Sequence, residues 1–231
     1  MRISQLNKML IIEYAKLLVL ILVGFILIDA TYCYLFKSSN DLCLHWMCGT
    51  IDEPTSTAMI ILKLLNISLI FLYIGNVCER FWDKFIIQVY CRISKRILFV
   101  LKFTLLLIFH SWILLLCSHY IFYCVSGDIP DAIDVCRYYL LDSLSFCGLV
   151  LIYIMMNNSC IRDWSLFCVM GILVINTVSP IPIPLAASTI KYIEMANNLG
   201  YDTLVFSNVV CEIFVIGFYA YVISKRRFSI C

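Results

Sequence analysis

The chain is a succession of long apolar runs separated by short polar breaks, and each run is close to the length a helix needs to cross a bilayer. At about 1.5 Å per residue, a hydrocarbon layer of ~30 Å takes roughly 20 residues. Six runs meet that requirement: 17–36, 58–77, 97–116 with an extension to Val125, 138–156, 164–184 and 203–223. None alternates with period two, as the strand of a membrane barrel does. The pattern predicts an all-α membrane protein with six transmembrane helices in one transmembrane domain, 1–231. No internal repeat, low-complexity tract or linker divides the chain, and the loops are too short for a second folded domain.

Two stretches outside these runs have the periodicity of interfacial amphipathic helices. In residues 1–16, Ile3, Leu6, Leu10 and Tyr14 recur at helical spacing beside Arg2, Lys8 and Lys16, predicting a short interfacial helix that leads into the first span. A cleavable signal peptide is set aside, because the run that follows is long enough to span and no small-x-small cleavage site succeeds it. The second stretch is Glu79 to Arg96, where Trp82, Phe85, Ile86, Val89 and Ile93 oppose Arg80, Lys84, Gln88, Arg92 and Lys95. A simple anchor between two spans accounts for that amphipathicity. A helix facing lipid needs only the basic residues, however, and here both signs occur in Glu79, Arg80, Asp83, Lys84, Arg92, Lys95 and Arg96. That mixture predicts a docking surface for a soluble partner.

Composition agrees with the membrane reading: 63% of residues are hydrophobic, 14% are charged and the mean hydropathy is +0.96. An ordinary soluble domain is nearer half apolar. Nothing supports nucleic-acid binding. The net charge of +2 matters less than the side on which each charge lies. With both termini cytoplasmic, only Lys37, Lys63, Arg137 and Lys191 of the 17 Lys and Arg residues fall outside, so this orientation is expected in a multi-pass protein of the cell membrane. The outer loops then carry Asp41, Asp52, Glu53, Asp128, Asp131, Asp134, Glu194 and Asp202, and are acidic.

Candidate chemistry is sparse. The eight glycines are dispersed, so no G-x-x-x-x-G-K-[ST] phosphate cradle exists, and any ATP-driven work needs a partner that binds the nucleotide. His110 and Cys117 share a helix face, but two turns separate them by about 10.5 Å, beyond the reach of direct proton transfer. They are expected to fill space between helices, and the chain is not expected to be an enzyme. Cys43, His45 and Cys48 form a lone C-x-H-x-x-C cluster, and no H-E-x-x-H motif is present, so no metal is expected. Of the 13 cysteines, Cys117, Cys147, Cys168 and Cys211 lie in or beside apolar runs and behave as small hydrophobes. Cys33, Cys43, Cys48, Cys124 and Cys136 lie near the outer face, where a bridge is open but its pairing is not readable.

Ionisable residues within the spans carry more information. Glu212 lies near the middle of the sixth, with Asn208 four residues earlier on the same face, and a carboxylate at that depth must face protein or water. The pair lines either a substrate path or a helix interface. Asp29 and Asp142 lie nearer the outer ends of their spans and are expected at the headgroups, while Lys102 is expected to snorkel inward. The run Ser179–Pro184 breaks the fifth span, so 180–202 is expected to turn back at the outer surface as short helices.

Six spans with both ends inside, an amphipathic N-terminal helix, a charged amphipathic helix between spans two and three, and a broken segment between spans five and six resemble the permease subunits of type-two ABC exporters. Within that class the size is similar to that of small permeases of bacteriocin or antimicrobial-peptide export and immunity systems. The resemblance implies a permease that exports a peptide or hydrophobic substrate as a homodimer or heterodimer. ATP and Mg would be bound by a separate ATPase docked on Glu79, Arg80, Asp83, Lys84, Arg92, Lys95 and Arg96. The other expectation is a non-transporting immunity or binding protein that sequesters a toxin or lipid, motivated by the acidic outer loops, which attract cationic peptides.

Overall fold

A computed structural model describes residues 3–37, 46, 57–80, 96–127, 132–157, 162–178 and 200–225. They form six α-helices: α1 Ile3–Leu35, α2 Thr57–Arg80, α3 Arg96–Ser126, α4 Ala132–Asn157, α5 Ser165–Val178 and α6 Tyr201–Lys225. A 3-10 turn, Arg162–Trp164, leads into α5, and no strand occurs among the described residues. Five helices hold stretches long and apolar enough to cross a membrane: Tyr14–Leu35, Thr57–Glu79, Leu98–Ser126, Val135–Asn157 and Tyr201–Val222. That is the make-up of a multi-pass membrane protein. With 14 residues, α5 rises only about 21 Å at 1.5 Å per residue. The predicted proline break and the short helices after it, at 179–199, lie outside the described residues.

The helices outrun the apolar runs that predict them. There is no separate N-terminal element, since α1 is continuous over 33 residues, about 50 Å, and exceeds the bilayer core by its N-terminal turns. Ten residues beyond Leu116, α3 ends at Ser126, where Gly127 takes a positive φ of 71° and its N–H donates to Tyr123 O at 3.1 Å. That is the left-handed cap glycine supplies without a Cβ clash.

Side-chain register fixes the direction of each helix. Asn66 meets Ser118 and Tyr73 meets His110, so α2 and α3 are antiparallel. Phe71 lies on Phe146, with ring centroids 5.3 Å apart, and Gly75 lies against Tyr153, so α2 and α4 are parallel. The same direction relates α4 and α6, since Ser145 meets Asn208 and Ile152 shares a groove with Val215. Gly24 faces Leu69 and Asp29 meets Asn66, so α1 and α2 are antiparallel, and the start of α1 and the ends of α2, α4 and α6 lie at one end of the bundle, here the terminal end. Leu35 of α1, Thr57 of α2, Ser126 of α3, Ala132 of α4 and Tyr201 of α6 lie at the opposite end, the far end.

Burial separates centre from flank. Of their most apolar windows, 61% of α4 and 56% of α3 are buried, against 22% for α1 and for α6. A core of Phe25, Phe71, Phe103, Phe146 and Leu149 fills the middle. On the flanks, Leu20 and Leu27 of α1 and Phe206, Ile213 and Phe214 of α6 stay exposed, as a lipid-facing surface requires. Close helix approach uses small residues. A Cβ on Gly24 would sit 2.7 Å from Leu69 Cδ1, and one on Gly75 would meet the Tyr153 hydroxyl.

Candidate functional site

Toward the far end, α1 to α4 turn polar side chains inward at one level. Asn66 of α2 is the hinge of the arrangement. Its Nδ2 donates to Asp29 Oδ1 of α1 at 3.3 Å, and its Oδ1 accepts from Ser118 Oγ of α3 at 3.0 Å. One amide thus ties three helices together, using its donor and its acceptor in opposite directions. One residue on, His119 Nε2 lies 3.0 Å from Asp142 Oδ2 of α4. Lys63, one helical turn before Asn66, places its Nζ 5.8 Å from the centroid of the Trp46 ring.

Apart from Asp29, these groups line a cavity of about 30 Å³. Lys63, Asn66, Ser118, His119 and Asp142 supply its polar wall, and Trp46, Ile67, Ile70 and Leu115 supply its apolar one. Trp46 stacks on Phe122 at 4.7 Å and meets Tyr32 edge-on at 4.6 Å, so an aromatic cluster closes the far side. All the ionisable groups are buried: Asp29 is 0% exposed, Asp142 1% and Lys63 4%. This corrects two expectations from the sequence. Asp29 and Asp142 are not at the headgroups, because each is turned between helices where a polar partner waits. Lys63, taken as an outer charge, is an interior one.

Chemically the cluster is an acid–base network without a nucleophile. Ser118 donates its hydroxyl to the Asn66 carbonyl oxygen, so no base activates it. Asp29 Oδ2, Asp142 Oδ1 and His119 Nδ1 are buried and have no hydrogen-bond partner among the described residues. Each is a site at which a water or a proton can be held. No group of three metal-ligating side chains occurs among the described residues.

The residues singled out in the sixth span lie elsewhere, between α4 and α6. Asn208 is fully buried; its Oδ1 accepts from Ser145 Oγ at 2.9 Å, and its Nδ2 donates to Leu204 O at 2.9 Å. Glu212, one turn on, is 7% exposed, and its Oε1 has no hydrogen-bond partner among the described residues. Further toward the terminal end, α4 and α6 diverge around an apolar groove of about 560 Å³ lined by Met155, Met156, Phe214 and Phe218.

The remaining predicted positions divide by location. Glu79 is exposed in the last turn of α2, and Arg80 and Arg96 mark the facing ends of α2 and α3. Asp83, Lys84, Arg92 and Lys95 lie outside the described residues, as do Cys43, His45 and Cys48. His110 is buried and shares a hydrogen bond of 2.8 Å with the Tyr73 hydroxyl, while Cys117 is half-buried two turns away. Cys33, Cys124 and Cys136 carry free thiols.

Sequence reasoning missed Asn66, Ser118 and His119. The first is a lone amide in an apolar run. The other two lie beyond Leu116, where the third span was expected to end, and the available signal was the extension of apolar character to Val125.

No protein-family model, no curated protein and no solved structure matches this chain.

Proposed function

We propose that this chain is the membrane-spanning subunit of a transporter resembling the type-two ABC exporters. It moves a peptide or hydrophobic substrate outward, and a separate subunit hydrolyses ATP. The observation that carries the reading is the link between α2 and α3. Both helices meet that link at the terminal end, at Arg80 and Arg96, and the 15 intervening residues, 81–95, include Asp83, Lys84, Arg92 and Lys95. A two-signed charged segment serves protein contact better than lipid contact. Its position opposite the polar cluster also supports the reading. Asn66 lies 14 residues before Arg80, about 21 Å along α2, so a driving contact at one end and polar recognition toward the other are separated by most of the bilayer.

In this reading the terminal end is cytoplasmic, following the Lys and Arg asymmetry. The apolar groove between α4 and α6 suits a hydrophobic substrate, and Asn208 and Glu212 precede its lining residues along α6. Two copies of this chain, or this chain and a similar one, complete the path. Reversing the charges of Arg92, Lys95 and Arg96 tests the reading. ATP hydrolysis by the partner continues but export stops, with the bundle intact by circular dichroism; unchanged export overturns it.

One observation favours a second reading. The sequence between α1 and α2 and between α3 and α4 carries Asp41, Asp52, Glu53, Asp128 and Asp131, an acidic composition suited to capturing a cationic peptide without turnover. An immunity or binding protein of that kind protects its host when no ATPase is present, whereas the transporter does not.

A further inference from the structure

Three buried ionisable side chains line the cavity, Lys63 of α2, His119 of α3 and Asp142 of α4, and a fourth, Asp29 of α1, is joined to it through Asn66. Two are acids and two are bases. A proton held by the His119–Asp142 pair removes one unit of negative charge from the buried cluster. A buried cluster in an apolar bundle is far less costly when its charges cancel. The geometry offers that proton a place, the 3.0 Å contact between His119 Nε2 and Asp142 Oδ2.

The cavity beside this contact sets the size of anything else that enters. About 30 Å³ is room for one or two waters, given ~10–15 Å³ for each. Water there finds the polar partners it needs in Asn66, Ser118, His119 and Asp142. Around the imidazole, the titratable groups are Asp142, Tyr138 and Tyr139 of α4 and Lys63 of α2, with Asp29 of α1 connected through Asn66. The two phenol rings meet His119 edge-on at 5.5 and 5.9 Å. The rest of the cavity wall, Trp46, Ile67, Ile70 and Leu115, is not titratable.

We infer that this cavity is a hydrated proton-binding site, in which the His119–Asp142 pair takes up one proton from water and releases it again. In the uptake step a hydronium ion at the far end gives its proton to the pair through the water in the cavity. An N–H or O–H bond forms on the pair, one breaks on the hydronium, and a water molecule is left. No other bond changes. The inference is independent of the transport reading, because it concerns this chain alone.

The chain has three histidines, His45, His110 and His119, so ring-¹⁵N labelling of histidine in the full protein, in lipid nanodiscs, yields only three imidazoles. The expected result is that the His119 ring signals pass from the cationic to the neutral pattern between acidic and alkaline buffer. Asp142→Asn displaces that transition and leaves the His110 signals unchanged. Potentiometric titration of His119→Gln then shows one bound proton per chain fewer than wild type. Because the wild-type titration needs no variant, it decides the matter even if a substitution fails to fold. His119 signals that hold one pattern throughout the folded range overturn the inference, as does a transition that Asp142→Asn leaves in place.

Discussion

Asn66→Ala is the most informative single perturbation of the bundle, because one amide joins α1, α2 and α3. It removes the 3.3 Å bond to Asp29 and the 3.0 Å bond from Ser118 together. Interhelical hydrogen bonds in membrane proteins are worth about 0.6 kcal/mol on average and up to about 1.7, so the two contribute roughly 1–3 kcal/mol. The substitution also strands Asp29, whose Oδ2 already has no partner among the described residues, at about 1–3 kcal/mol for an unmet buried group. The expected total is about 2–6 kcal/mol, and 2 kcal/mol alone is a factor of about 30 in the folded-to-unfolded ratio. Unfolding in mixed micelles, followed through the four tryptophans, measures it. Double-mutant cycles with Asp29→Asn and with Ser118→Ala isolate each bond, and each should return about 0.6–1.7 kcal/mol of coupling. A loss below about 0.5 kcal/mol, the level of a surface substitution, or additive cycles would refute the reasoning.

Two further perturbations test other contacts. Gly75→Ala drives a methyl group into the Tyr153 hydroxyl and should cost about 1–3 kcal/mol of overpacking, of which Tyr153→Phe in the same chain restores a large part; thermal melts of the three proteins check this. Ser145→Ala removes the donor to Asn208 and should lower stability by about 0.6–1.7 kcal/mol, an effect smaller when Asn208 is already Ala, which unfolding of the single and double variants checks.

The legible part of this protein is what hydrophobic length alone determines. The requirement of about 20 apolar residues is local, so five of the six runs coincide with stretches long and apolar enough to cross a membrane, although α1 begins 14 residues before its run and α3 ends ten residues past Leu116. The fifth run is described only to Val178, ahead of its prolines. The polar cluster was not legible for a different reason. Its contacts join residues 37, 52 and 23 positions apart, and no periodicity within one helix points across to another. Asp29 shows the difficulty well. An acid near the end of an apolar run satisfies itself equally well at the headgroups or against an inward amide, and only the position of Asn66 decides. Glu212 was readable as an interior residue because mid-span depth leaves a carboxylate no route to the surface.

The central claim, that this chain works with a separate ATPase, is tested most directly by purifying the tagged full-length chain from its native host in mild detergent and identifying by mass what accompanies it. The account predicts a stoichiometric nucleotide-hydrolysing subunit that is lost when Arg92, Lys95 and Arg96 are reversed in charge. Recovery of the chain alone, stable and monodisperse, would contradict it and favour the binding or immunity protein.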